Sequence, residues 1–262
     1  MILEQFDQEK TALINPANFI EKVDGMPKIA ITCFSMATFD RLLEELHGVK
    51  IAESSMANMV IPVYKAEYSG KEFALFMSDE GAPACVAMME DAFAMGVEKI
   101  IVFGSCGVLD SSIKDCSIII PDRAVRDEGT SFHYYPPSDE IDVNVKYKDL
   151  FCKMLDDIGI SYHVGKVWTT DAMYRETAGK VAARKAMGCI CVDMECSAVA
   201  ALAAFRQKDI LQFFYAADNL DNEDWDARSL SNYAMLPEKD RIARLAMDIA
   251  VRIYEDSEKI DG

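Results

Sequence analysis

The sequence predicts an α/β fold in three layers, with a central mixed, twisted sheet covered by helices on both faces. Two observations carry this. From Lys28 onward, apolar runs of strand length alternate with stretches of helical periodicity. In addition, no repeat, low-complexity tract or Gly/Ser linker interrupts the 262 residues, so one domain over 1–262 is expected. Its opening 27 residues, broken by Pro16, Gly25 and Pro27, read as an irregular arm.

The elements follow in order. Lys28–Phe34 is a short apolar strand, and Ala37–Leu46 has helical spacing through Phe39, Leu42, Leu43 and Leu46. A second strand at Phe73–Met77 precedes a helix from Pro83 to Met95, with proline at the start where a helix accepts it. Lys99–Phe103 is strongly strand-like and is expected to end in the turn Gly104-Ser105-Cys106-Gly107. Ser117–Ile120 is another strand and Tyr147–Ile158 a helix. The rhythm continues with strand Tyr162–Thr169, helix Glu176–Ala186, strand Cys189–Asp193, helix Cys196–Phe205 and strand Ile210–Ala216. A long helix over roughly Glu238–Tyr254 closes the chain.

Composition excludes several classes. Hydrophobic residues make up 51% and charged residues 27%, the balance of a globular protein rather than a disordered one. A net charge of −17 argues against nucleic acid and anionic membranes, which need clustered Lys and Arg. No apolar run reaches the roughly 20 residues of a membrane helix. The start, Met1-Ile2-Leu3-Glu4, has neither the basic nor the apolar part of a signal peptide, so a cytoplasmic location is expected. The 8 cysteines lie largely in hydrophobic runs without a C-x-x-C pair and read as reduced core thiols. Three histidines without paired spacing make a metal site unexpected.

In such folds ligands collect at the carboxyl ends of the strands. Four of these ends carry polar chemistry. At Gly104–Gly107, Ser105 and the backbone N–H groups suit an oxyanion or a base edge, or form an ordinary turn. Asp193-Met194-Glu195 joins an apolar strand to a helix; its carboxylate suits the two hydroxyls of a vicinal diol, or simply caps the helix. Asp218 emerges from an apolar strand, where desolvation would raise its pKa and make it a proton donor. The acidic stretch 220–228 that follows, with Trp225 and Arg228, reads as a lid or a solvated turn. Last, Met173 and Tyr174 beside a strand end would stack on a heterocycle or belong to the core.

Together these segments resemble the nucleoside phosphorylase-I family, which holds purine and uridine phosphorylases and hydrolytic nucleosidases. Gly104–Gly107 is similar to its phosphate and base loop, Met194-Glu195 to its ribose-binding pair, and Thr170–Tyr174 to its base-lining segment. The stretch from Ala124 to Tyr134 resembles uridine phosphorylases, while Asp218, 23 positions after Glu195, matches the purine members' acid. The resemblance implies a phosphorylase/hydrolase-like α/β domain, assembled as a homodimer or hexamer. The implied reaction is cleavage of a nucleoside by inorganic phosphate, with no other cofactor. Glu195 and Met194 would hold ribose, Asp218 would protonate the base and Arg228 would position Asp218. Ser105, Arg41 and Arg126 would meet phosphate, and Cys106, Gly107, Met173 and Tyr174 the base.

The chain departs from the family pattern at identifiable places. Thr32–Met36 replaces the phosphate loop after the first strand, and Val102 replaces an arginine before Gly104. Thr177 and Gly179 stand where uridine phosphorylases read uracil, which leaves purine favoured. Two alternatives follow, a nucleosidase using water and an inactive nucleoside-binding module.

Overall fold

The computed structural model describes residues 2–261, with side chains through residue 257. In chain order, the first half contains β1 (Ile29–Cys33), α1 (Met36–Glu45), β2 (Val49–Ser55), β3 (Val60–Tyr68), β4 (Lys71–Met77), α2 (Ala82–Met95), β5 (Lys99–Val108) and β6 (Ile118–Asp127). It continues with β7 (Glu140–Asp142), α3 (Lys148–Ile158), β8 (Tyr162–Thr170), α4 (Ala178–Ala186), β9 (Cys189–Asp193), α5 (Cys196–Arg206), β10 (Asp209–Asn219) and α6 (Leu236–Asp261). The predicted helices all form. The hairpin β2–β3 was not foreseen, because its polar and apolar residues are mixed and much of it is exposed.

β5 is the axis of the sheet. It pairs parallel with β1 and with β10, and its last two residues pair antiparallel with β9. The path β10-β6-β8-β9-β5 therefore returns on itself, while β1-β4-β3-β2 extends from β5 as an open wing. Helices cover both faces, as predicted. Phe39 and Leu42 of α1, Phe151 and Leu155 of α3, and Ile242, Leu245, Ile249 and Ile253 of α6 share one core. Val86, Met88 and Met89 of α2 meet Val199 and Leu202 of α5 in another.

Two strands run further than their hydrophobic runs suggest. β5 does not end at Phe103 but carries Gly104–Gly107 inside the ladder, paired with Phe214–Asp218 of β10. The expected turn is thus a strand segment, and neither glycine has positive φ. Their purpose is close approach. A Cβ on Gly104 would lie 2.7 Å from the Phe34 ring, and one on Gly107 would lie 2.4 Å from Leu220 and 3.1 Å from Asp218 Oδ1. Similarly, β10 continues to Asn219, so Asp218 is held in a strand with a register shift beside it rather than on a loop. The arm, for its part, holds two short turns, Ile2–Glu4 and Pro16–Asn18, and Phe6 packs edge-on against Phe205.

The position of β10 depends on Asn144, which is buried with φ +55°, a conformation Asn tolerates well. Its Nδ2 donates to Pro121 O (2.9 Å) and Gln212 O (2.7 Å), while its Oδ1 accepts from Gln212 N (2.7 Å). Asn144→Ala strands these buried groups and is expected to cost about 2–4 kcal/mol, read from the urea midpoint at unchanged slope. A loss below about 0.5 kcal/mol would contradict this tie between β6 and β10.

Candidate functional site

The site begins with a helix start. At the β9–α5 junction, Asp193 Oδ2 accepts the backbone N–H groups of Glu195 (2.9 Å) and Cys196 (2.6 Å), and Oδ1 accepts Thr169 Oγ1–H (2.7 Å). Asp193 is therefore the carboxylate that satisfies the first turn of α5. Glu195 stands at the N-cap position without a side-chain cap bond. The capping reading of Glu195 is thereby replaced. Glu195 is 7% exposed, and its carboxylate turns to the Gly81 N–H at 2.5 Å. Burial, and then the charge of Asp193, push its pKa upward, with the Gly81 bond opposing them.

Around Glu195 lies a cleft with two joined lobes. The inner one, about 180 Å³, is lined by Ser105, Cys106, Gly107, Met194, Glu195 and Asp218, together with Met173, Phe34 and Glu80. The outer one, about 440 Å³, is lined by Tyr174, Trp225, Leu220 and Val181 among others. Met173, Glu176, Asp218 and Leu230 belong to both and mark where the lobes meet. Seven of the residues singled out in the sequence thus converge on the inner lobe, and Tyr174 joins them in the outer one.

Asp218 is 9% exposed, and its Oδ2 accepts the Trp225 indole N–H at 2.8 Å. Burial raises its pKa, with Trp225 and the more distant charge of Arg228 pulling the other way. Across the junction, burial and the charge of Asp218 push Glu176 up to about 7, with Lys180 opposing. Two acids with raised pKa values thus face one apolar, aromatic-walled space. Such pairs are characteristic of sites that move or share protons.

The three arginines occupy other places. Arg41 is on the exposed side of α1, and its Nε donates to Asp240 of α6 at 2.8 Å. Arg126 is buried, but its guanidinium donates to Ser131 Oγ, Pro136 O, Ser138 Oγ and Tyr135 O and lies over the Phe132 ring. Both guanidiniums hold structure together, and neither lines the cleft. Arg228 donates to Ile113 O at 2.9 Å and likewise does not line it. Among the described residues, no Lys or Arg lines either lobe. Ser35, which stands in the altered first loop, caps α1 through Thr38 N–H and donates to Asn232 Oδ1 at 3.1 Å.

Sequence reading missed Glu176, Phe34, Glu80 and Leu230. Glu176 left one usable signal, an acid placed between an exposed aromatic and the Thr177 cap of α4. The others are brought in only by tertiary folding.

Comparison with known proteins bears on the family and the fold. Residues 28–247 match the family model described as the phosphorylase superfamily. The chain is 27% identical over 156 residues to an uncharacterized mimivirus protein, covering 59% of this chain and 60% of the relative. It is 25% identical to a guanosine phosphorylase of Halorubrum lacusprofundi, over 56% of this chain and 61% of that protein. With a DeoD-type purine nucleoside phosphorylase of Colwellia psychrerythraea it shares 27% identity, over 60% and 68%. The chain spans about three fifths of the length of the first two relatives. Its fold is that of uridine phosphorylase from Vibrio fischeri (TM-score 0.76, 21% identity, covering 88% of this chain and 94% of that one). It is likewise that of purine nucleoside phosphorylase from Toxoplasma gondii (TM-score 0.70, 18% identity, 84% and 90%).

A raised carboxylate makes the folded state bind a proton that the unfolded chain releases. The stability it contributes is present below its ordinary 4.5 and is lost as pH rises toward about 7. Asp193, Glu195 and Asp218 share this sign. Glu176→Gln is therefore expected to flatten, but not abolish, the fall in melting temperature between pH 5 and 8. A melting profile superimposable on the parent's would remove Glu176 from the buried set.

Proposed function

Because the chain belongs to the phosphorylase superfamily, we propose that it is a pentosyltransferase cleaving the N-glycosidic bond of a purine nucleoside, with phosphate accepting the sugar. The observation that carries this reading is the pairing of Glu195 with Asp218 across one cleft. Glu195, freed from helix capping by Asp193, presents carboxylate oxygens that a ribose 2′,3′-diol can donate to. The base then extends toward Asp218, Met173 and Trp225, which supply a polar edge and flat apolar walls.

As the glycosidic bond lengthens, positive charge develops on the sugar and negative charge on the base. Asp218, its pKa raised, holds a proton for the departing purine nitrogen. Glu176, as a carboxylate, accepts N–H groups from a base edge and so favours bases that donate there, as 6-oxopurines do. Ser105 Oγ, inside the strand segment Gly104–Gly107, is the chain's own hydroxyl for the acceptor. A soluble homo-oligomer, with nucleoside and phosphate as its small-molecule partners, completes the proposal. The relatives include guanosine, purine and uridine phosphorylases and so support a nucleoside substrate; the choice of a purine rests on Asp218, and the family description supports the acceptor.

One observation favours a second reading, with water as the acceptor. A phosphate dianion in a dry site needs cationic partners, and none of the described lining residues is Lys or Arg.

Turnover of inosine, guanosine and adenosine with and without phosphate separates the two readings. Under the first, base release requires phosphate and yields ribose 1-phosphate. Equal release without phosphate, with free ribose as product, replaces it with hydrolysis.

Two variants test the residues. Asp218→Asn is expected to lower kcat on purine nucleosides by roughly 10²–10⁴-fold, the range of one proton-donating group. The parent's rate should fall as pH rises through the raised pKa of Asp218, and the variant should lose that limb. Glu195→Ala should cost at least about a hundredfold in kcat/KM, because it removes the group that orients the sugar. Parent-like kinetics in either variant would discard the corresponding role.

A further inference from the structure

Lys239 lies in the first turn of α6 with 2% exposure, which is rare for an ammonium. It forms no ion pair within 4.0 Å among the described residues. Its Nζ donates to two backbone carbonyls, Ser229 O at 2.8 Å and Ser231 O at 2.7 Å, and lies 5.8 Å from the centre of the Tyr215 ring. Asp115 and Cys116 are the other titratable groups whose charge it feels. Burying a cation against neutral acceptors is costly, so the position calls for a reason.

The reason lies in what those two carbonyls flank. Between Ser229 and Ser231 sits Leu230, which lines both lobes of the cleft. The segment from Leu220 to Leu230 carries Trp225, whose indole N–H reaches Asp218. Its base is closed by a backbone bridge between Asn219 and Asp226 and by Ser229 N–H on Ala217 O. Ser229 Oγ also donates to Asp115. The outgoing limb is tied at Asp221, which accepts the Ser111 N–H and pairs with Lys185, and at Asn222, whose Oδ1 accepts from Ser111 Oγ, while Trp225 beyond them is 61% exposed. An ammonium has three donors on one atom and can serve both carbonyls around Leu230 at once.

We infer that Lys239 is a positioning residue: it clamps the returning limb of residues 220–231 so that Leu230 and Trp225 form the wall against which the base is held. This rests on reading the cleft as a nucleoside site. Lys239 touches no substrate and acts through Leu230 and Trp225.

The test is Lys239→Met, which keeps the apolar stem and removes the donors, with Lys239→Arg as the conservative variant. Hydrogen exchange on the free protein should show amides of 220–231 exchanging at least tenfold faster, with β1 and β5 unchanged. The emission of Trp225, isolated by subtracting a Trp225→Phe spectrum, should shift to the red. KM for a purine nucleoside should rise at least fivefold with kcat within about twofold, because a lost wall weakens ground and transition states alike. Lys239→Arg should restore most of the protection. Unchanged exchange in 220–231, loosening shared equally by β1 and β5, or an unaltered KM beside faster exchange would each overturn the inference. If Lys239→Met fails to fold, the same readings are taken on Lys239→Gln. A parent that cleaves no purine nucleoside refutes the proposed function, while the exchange and emission results still decide the clamp.

Discussion

The carboxylate of Asp193 holds together the start of α5, the end of β8 and, through them, the floor of the cleft. It accepts two backbone N–H groups and the Thr169 hydroxyl, and Thr169 in turn accepts the Ser197 N–H. A carboxylate buried this fully is tolerated because all its partners are donors. Had Glu195 capped the helix, its oxygens would be spent on backbone. With Asp193 in that role, Glu195 is held by the Gly81 N–H and keeps acceptor capacity turned toward the cavity. A structural acid two residues upstream thus leaves the oxygens of Glu195 available to the cleft.

Close approach across β5 is the second constraint, and it depends on absent side chains. Phe34 and Leu220 fill the space that Cβ atoms at Gly104 and Gly107 would need. Phe34 thereby lines the inner lobe, and Asp218 lies beside β5 at its register shift with β10. Since β10 is anchored to β6 through Asn144 and Gln212, the acid's position follows from the sheet rather than from a loop. This rigidity suits a site that must hold two groups on either side of one bond.

Much of this was legible in the sequence, because periodicity reports burial and burial organises an α/β sheet. Strand Cys189–Asp193 and the placing of every helix came from apolar spacing alone. Strand ends did not, since Gly104–Gly107 and Asp218-Asn219 carry polar or small residues yet remain paired. The hairpin β2–β3 escaped because an exposed pair of strands has no apolar signature. The convergence of Glu195, Asp218 and Met173 was readable from chemistry at strand ends. Glu176 was not, because its one local signal, a place between an exposed aromatic and the cap of α4, does not by itself tell an acid aimed into a cleft from one aimed at water. Arg41 and Arg126 show the converse difficulty. A guanidinium satisfied by Asp240, or by backbone carbonyls and hydroxyls, looks in sequence like one waiting for an anion.

The placement of these arginines outside the cleft has a physical consequence for the acceptor. The cleft collects Glu80, Glu176, Asp193, Glu195 and Asp218 without a lining cation among the described residues. Burial, and after it the charge of neighbouring acids, raises the pKa values of Glu176, Asp193, Glu195 and Asp218, and each proton taken up reduces the field against an incoming anion. Such a site meets a neutral nucleoside without penalty. It meets a phosphate dianion only where protonation or a second chain's cation offsets the acids. On the proposed reading, the choice between phosphate and water is therefore governed less by Ser105 than by the protonation state of this acid cluster. For the same reason, any dependence of turnover on phosphate should strengthen as pH falls.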